Sequence, residues 1–349
     1  MDAAPMNRNA SLLDDSSMPF LAGALNPAIA LPVLAGKQGP LAGNGNRCEI
    51  QRITVKRHKP GRRCLIEYVV EYRPRHCPPR TLAMLGKARA KGLDGRGYAI
   101  NLALRRTGFD DRNPHGVSVP EPLGIAPAFN MWFQERVPGR TAGEFLTSAD
   151  GPAAARRIAA GLSILHRTEP VNDRRHTIAD EIQILRAQID RLARSKPELA
   201  ADLTRVVRGC ERLAGGVEPD WTAGIHRDFY QDNILMNSER LWIIDLDLYA
   251  RGHPAIDAGN FRSHLIELAL RGRANRDDIG RCIESFEDHY TASARRINCR
   301  DIEIFTTLAL ARLIAISDRI ADRRHTTGML IELCQERLSG SGSPLPTGL

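Results

Sequence analysis

Two short segments hold most of the side chains that could do chemistry: Ile225-His226-Arg227-Asp228-Phe229-Tyr230-Gln231-Asp232-Asn233-Ile234-Leu235 and Trp242-Ile243-Ile244-Asp245-Leu246-Asp247. Together they read H-x-D-x-x-x-x-N, a short apolar hairpin, and an Asp at the end of an apolar strand. Phosphoryl transfer asks little covalent chemistry of a protein. It needs a positioned hydroxyl, a divalent cation on the phosphate oxygens and neutralisation of developing charge. Asp228 is placed to accept or orient the proton of an acceptor hydroxyl. Asn233 and Asp245 offer the amide and carboxylate oxygens that Mg²⁺ prefers over sulfur or imidazole. Asp247, two residues on, is expected on the same strand face as Asp245, near the metal or the acceptor.

The loop needs elements to hold it. Residues 48–74 contain two alternating, β-branched runs joined at Lys59-Pro60-Gly61-Arg62, a hairpin with turn residues at its tip. Arg80–Ala90 follows as a third strand carrying Lys87, residues 95–107 have helical spacing, and residues 117–137 supply two more strands. From Thr141 the chain turns to amphipathic helices, predicted over 141–148, 152–168, 178–195 and 198–214, then about 257–271, 277–293, 301–322 and 326–338. The Leu185/Ile189/Leu192 stripe is a packing face. His166, at a helix end, is expected to be a capping or core histidine. Ahead of the strands, residues 1–46 form a leader, loosely packed except for a short helix opened by Asn26 as N-cap and Pro27 at its first position. The Ser/Gly/Pro tail, 339–349, is expected to be disordered.

With the motif and element order in view, the chain resembles the aminoglycoside phosphotransferase/choline kinase family, from about Arg47 to about Leu338. The resemblance implies an α+β, bilobal protein-kinase-like fold: a small antiparallel five-stranded N-lobe, 47–138, and a larger, mainly helical C-lobe, 139–338. It implies ATP and Mg as cofactors and a small-molecule hydroxyl acceptor, aminoglycoside-, sugar- or amino-alcohol-like. Carried over by residue, Asp228 is the catalytic base and Asn233 and Asp245 the metal ligands. His226 braces the loop, and Asp257 ties its segment to it. Lys87 contacts nucleotide phosphates, and backbone groups of Gln134, Glu135 and Val137 meet the adenine.

The chain departs from related patterns at three places. His253 stands where the family has the Asp of G-D-P, no G-x-G-x-x-G lies between the first two strands, and helix 95–107 has no Glu to pair with Lys87. At the hairpin tip, backbone amides or basic side chains are left to cover phosphates. A protein kinase is the nearest rival enzyme and fits poorly, since Asp245 is followed by Leu-Asp rather than Phe-Gly and no A-P-E follows. A nucleotide-binding pseudokinase is the alternative, against which stands the complete set Lys87, Asp228, Asn233 and Asp245.

Composition narrows the partners. The net charge of +8 is uneven: residues 220–349 carry 16 Arg and no Lys against 19 Asp and Glu, leaving +11 on residues 1–219. No basic run interleaved with aromatics gives a nucleic-acid footprint. The apolar stretch Pro19–Gly36 is interrupted by Pro27 and Pro32, so neither a membrane span nor a secretory signal is expected. Seven Cys without CxxC spacing indicate reduced thiols and a cytoplasmic protein.

Overall fold

In the computed structural model, which describes residues 15–43, 48–73, 78–219, 222–293 and 297–340, the chain divides into two units. Residues 1–113 and 118–138 form the first, and 114–117 with 139–349 form the second.

The alternating runs of the first unit become β1 (Cys48–Lys59) and β2 (Arg63–Tyr72), antiparallel with Lys59 opposite Arg63. Gly61 takes a φ of 64° in the turn between them, a left-handed conformation that glycine adopts without steric cost. β3 (Arg80–Arg89), α3 (Arg96–Arg106), β5 (Pro122–Ala126) and β6 (Met131–Glu135) follow, in sheet order β1-β2-β3-β6-β5. Gly86 of β3 is required by its neighbour on β6: a Cβ there would lie 2.2 Å from Met131 Sδ.

Residues 15–43 correct the expectation of a loosely packed leader. α1 (Leu21–Ala24) and α2 (Pro27–Leu34) bury Leu21, Ala24, Ala30 and Leu34 in one core with Ile66, Tyr68, Val70, Met84 and Phe133. The inward alternation of β2 presents an apolar face that must be covered, and these helices cover it. Tyr68 donates its hydroxyl hydrogen to Ala24 O at 2.8 Å, satisfying a phenol that would otherwise be buried unpaired. Asn26 caps α2 as read from the sequence, accepting from Ala28 N at 3.0 Å. Residues 1–14 and 44–46 of the predicted leader, and 341–349 of the predicted tail, lie outside the described residues.

The second unit contains α4 (Ala142–Leu146), α5 (Gly151–Arg167), α6 (Ile178–Ser195) and α7 (Ala200–Ala214), then α8 (Ala255–Leu270), α9 (Arg276–Ser293), α10 (Cys299–Asp318) and α11 (Thr327–Ser339). α10 stops four residues short of prediction, and a 3₁₀ segment, Ala321–Thr326, leads into α11. α8 is buried along its whole length except Leu268, which makes it the central helix of the unit. Gly259 allows it to approach α10 closely, since a Cβ there would meet the Phe305 carbonyl carbon and Thr306 N at 2.6 Å.

Short strands organise the loops. β4 (Val117–Ser118), β7 (Arg140–Thr141), β10 (Ile234–Met236) and β11 (Leu241–Ile243) form a sheet ordered β4-β11-β10-β7. β8 (Arg175–His176), β9 (Ala223–Ile225) and β12 (Ala250–Gly252) form another, ordered β8-β12-β9. No helix among the described residues is long and apolar enough to cross a membrane.

Candidate active site

β9 delivers the chain to His226, and the next residue, Arg227, has a φ of 71°. A non-glycine residue in the left-handed region costs of order 1–3 kcal/mol, so something must hold it. Asp257, in the first turn of α8 and fully buried, does so: Oδ2 accepts from His226 N and Oδ1 from Arg227 N, both at 2.6 Å. His166 Nε2 lies 2.9 Å from the same Oδ2, and His166 Nδ1 lies 2.6 Å from the Tyr290 hydroxyl. Burial pushes the Tyr290 phenol well above its ordinary pKa, so it stays protonated beside the imidazole. The chain Tyr290, His166, Asp257 thus runs from α9 through α5 to the two loop amides.

The loop continues through a 3₁₀ turn, Gln231–Asn233, into the β10–β11 hairpin, where Ile234 pairs with Ile243 and Met236 with Leu241. Asn233 Nδ2 donates to Asp228 O at 2.9 Å and to Asp228 Oδ2 at 3.2 Å. Both amide hydrogens are thereby directed at Asp228, and Asn233 Oδ1 is left as an acceptor. On the other side of the hairpin, Ile244 N donates to Asn233 O at 3.0 Å. His226 completes the ring of contacts: Nε2 donates to Ile244 O at 2.8 Å, and Nδ1 accepts from Asp228 N at 3.2 Å. Asp228, Asn233, His226 and the residue preceding Asp245 are therefore joined by hydrogen bonds.

β11 ends at Ile243, and Asp245 has a φ of 62° at the head of the 3₁₀ turn Leu246–Leu248. This corrects the expectation that Asp245 and Asp247 share a strand face. Asp245 precedes the turn in a left-handed conformation and Asp247 lies within it, so the two do not follow the two-residue alternation of a strand.

α8 reaches the loop a second time. Asn260, three residues after Asp257 and so on the same helical face, donates to Phe229 O at 3.1 Å, and Arg312 of α10 donates to Asn260 Oδ1 at 2.5 Å. The Tyr230 ring stacks on His264 at 4.4 Å between centroids. Burial, then the Asp228, Asp232 and Asp245 carboxylates, push the Tyr230 phenol up to about 12. Burial, then Arg312, Arg323 and Arg271, push the His264 imidazole down to about 3, so it is neutral at physiological pH.

Lys87, Gln134, Glu135 and Val137 belong to the first unit. Lys87 faces Trp132 across the β3–β6 pair, its ammonium 4.8 Å from the ring centroid. Where no Glu was available on α3, that helix contributes Tyr98, which packs edge-on against Trp132 at 6.4 Å. Gln134 is buried between Leu85 and Pro122 in the sheet. Glu135 N donates to Glu121 O at 2.8 Å, Arg136 N donates to Ala83 O at 2.9 Å, and Val137 follows as a buried residue beyond the strand. Burial, then Asp111 and Glu121, raise the Glu135 carboxyl above its ordinary pKa.

His166, Tyr290, Trp132 and Arg312 were not assigned site roles from the sequence, and they lie far along the chain from their partners. Asn260 had a local signal, its spacing from Asp257 on a helix.

The model of the phosphotransferase enzyme family matches residues 109–281. Among solved structures, a choline/ethanolamine kinase family protein from Mesorhizobium loti is 17% identical, with 92% of this chain and 93% of that chain covered and a TM-score of 0.52. Choline kinase from Cryptosporidium parvum Iowa II is 12% identical over 90% and 96%, with a TM-score of 0.58. A thermostable mutant of aminoglycoside phosphotransferase APH(4)-Ia, in ternary complex with ADP and hygromycin B, is 11% identical over 84% and 96%, with a TM-score of 0.57. No curated protein sequence matches the chain. These likenesses give the fold as α+β and kinase-like, with an antiparallel five-stranded sheet and a helical part. The family match spans residues 109–281 and contains the motif Asp228, Asn233 and Asp245, so this part of the chain is similar to the phosphotransferase enzyme family.

Proposed function

We propose that this chain is a small-molecule kinase that transfers the γ-phosphoryl group of ATP, with Mg²⁺, to a hydroxyl of a small acceptor. The observation that carries the reading is the hydrogen-bonded ring of Asp228, Asn233, His226 and Ile244, held at its base by Asp257. Asp228 is the group that would take the acceptor's proton. His226 braces the loop, and Asp257 fixes its backbone.

Asn233 and Asp245 would hold the metal, which neutralises charge on the phosphate oxygens during transfer. Among the described residues no group of three or more His, Cys, Asp or Glu could hold a metal. The donor set here is an amide oxygen turned outward by the amide's bonds to Asp228, plus one carboxylate. That suits Mg²⁺, which takes few protein ligands and fills its shell with water and phosphate. Lys87, steadied on Trp132, would meet the phosphates, and the backbone at Gln134, Glu135 and Val137 would meet the adenine. A cytoplasmic setting supplies ATP and keeps buried thiols such as Cys64, Cys210 and Cys334 reduced.

The test is the thermal midpoint with ATP and Mg²⁺, singly and together, for wild type and Asp245→Ala. A ligand that binds only the folded state raises the midpoint. A rise that needs both components and disappears in the variant supports the reading; a wild-type midpoint indifferent to both opposes it.

A further inference from the structure

The turn that replaces a glycine-rich loop does not have its main chain free. Asp15 Oδ2 accepts from Gly61 N at 2.9 Å and lies 2.9 Å from His58 Nε2, while Arg62 N donates to Lys59 O at 3.0 Å. Two tip amides that could have cradled a phosphate are thus committed within the protein. The Asp15 carboxylate already occupies the Gly61 amide as an anion would, and its pKa is lowered mainly by that bond.

Beside this turn lies a cavity of about 600 Å³, wholly within the first unit, lined by the turn and by the segment joining β3 to α3. Six cationic side chains face it: Lys59, Arg62, Arg63, Arg89, Lys91 and Arg96. Its lone carboxylate, Asp94, is held by Arg96 through bonds of 2.9 and 2.7 Å, which lower its pKa to about 2 and keep it ionised and engaged. Arg62, Arg63 and Lys91 make no side-chain hydrogen bond or ion pair among the described residues. A volume in the range of small-molecule sites, with this excess of positive charge, fits one class of ligand.

We propose that this cavity binds a polyphosphate, gripped by the Arg62, Arg63 and Lys91 side chains in place of main-chain amides. Guanidinium groups suit the task, because each can meet two phosphate oxygens at once. The Asp15 clamp holds the turn, so the two arginines are presented from a fixed backbone. The polyphosphate is either the tail of a nucleotide or that of a separate ligand. The site does not depend on phosphoryl transfer, and loss of one claim leaves the other standing.

The experiment is calorimetric titration of the full chain with inorganic tripolyphosphate, without magnesium and at low salt. We expect one binding site whose affinity falls steeply as salt is added. Replacing Arg62, Arg63 and Lys91 together by Ser should weaken it by about tenfold or more, whereas Arg57→Ser, an exposed cation on β1 outside the cavity, should change it by less than about twofold. The three side chains are at the surface or partly exposed, and single variants of each supply the same comparison should the triple variant unfold. Absence of binding, or equal weakening by Arg57→Ser, overturns the proposal. Displacement of bound tripolyphosphate by ATP identifies the ligand as the nucleotide's own tail, and simultaneous binding identifies a separate polyphosphate; both uphold the site.

Discussion

Replacing Asp257 by Asn removes one charge and almost no volume, yet it should damage both stability and turnover. The carboxylate takes three hydrogen bonds: His226 N and His166 Nε2 on Oδ2, and Arg227 N on Oδ1. An amide offers one oxygen and one NH₂. With the oxygen at the doubly used position, the NH₂ group faces the Arg227 N–H, donor against donor. A hydrogen bond to a charged group contributes roughly 1.5–3 kcal/mol, and a buried donor left unmet costs about 1–3 kcal/mol. The amide that loses its acceptor is that of the left-handed Arg227, φ 71°, immediately before Asp228. We therefore expect a loss of roughly 2–4 kcal/mol in urea unfolding followed by circular dichroism. Misplacement of a reacting group by an ångström costs on the order of a hundredfold in rate, so kcat should fall by about that factor. Turnover is followed as ADP release, with water or an active hydroxyl compound as acceptor. If Asp257→Asn keeps its unfolding midpoint and its kcat within about twofold of wild type, the carboxylate does not hold the loop and the reasoning fails.

Leu34, fully buried on α2, tests whether residues 15–43 are part of the first unit's core. Leu34→Ala should cost roughly 2–5 kcal/mol in chemical unfolding, whereas a loosely attached leader would lose next to nothing. The pH dependence of stability carries a signature of His264, whose folded pKa of about 3 lies below the ordinary 6.5. Protons bind the unfolded state more readily, so its contribution is intact above pH 6.5 and is lost as pH falls toward 3. Between about pH 7.5 and pH 5 wild type should lose roughly 2 kcal/mol more than His264→Phe, and parallel curves would refute the assignment.

The parts of the site that sequence exposes are those closed by short-range chemistry. His226, Asp228 and Asn233 fall within eight residues, and the hairpin that follows returns the chain to Asp245 over a few more. Strand alternation likewise marks β1 and β2, and helical spacing places α6 and α7 within two residues of their observed ends. What holds the loop is long-range. His166 meets Asp257 across 91 positions and Tyr290 across 124, and one apolar helix face looks like another until its partner is known. The packing of α1 and α2 was hidden for a similar reason: their small apolar residues acquire meaning only against the inward face of β2. The left-handed Asp245 could not be read either. Asp tolerates that conformation better than most residues but adopts it seldom enough that an apolar strand was the natural expectation. His253, which departs from the family's Asp, packs its ring against Phe305 at 5.1 Å and accepts from Ala255 N at 3.2 Å, so this position serves the start of α8.

The central claim is that Asp228 accepts the proton of a small hydroxyl compound during phosphoryl transfer. It is tested most directly by transfer of labelled γ-phosphate from ATP to a panel of aminoglycosides, amino alcohols, sugars and hydroxy amino acids, with wild type and Asp228→Ala side by side. Wild type should label at least one acceptor, and Asp228→Ala should lose on the order of a hundredfold or more in kcat while Mg²⁺ and ATP still raise its thermal midpoint. Labelling by Asp228→Ala at the wild-type rate would contradict the account.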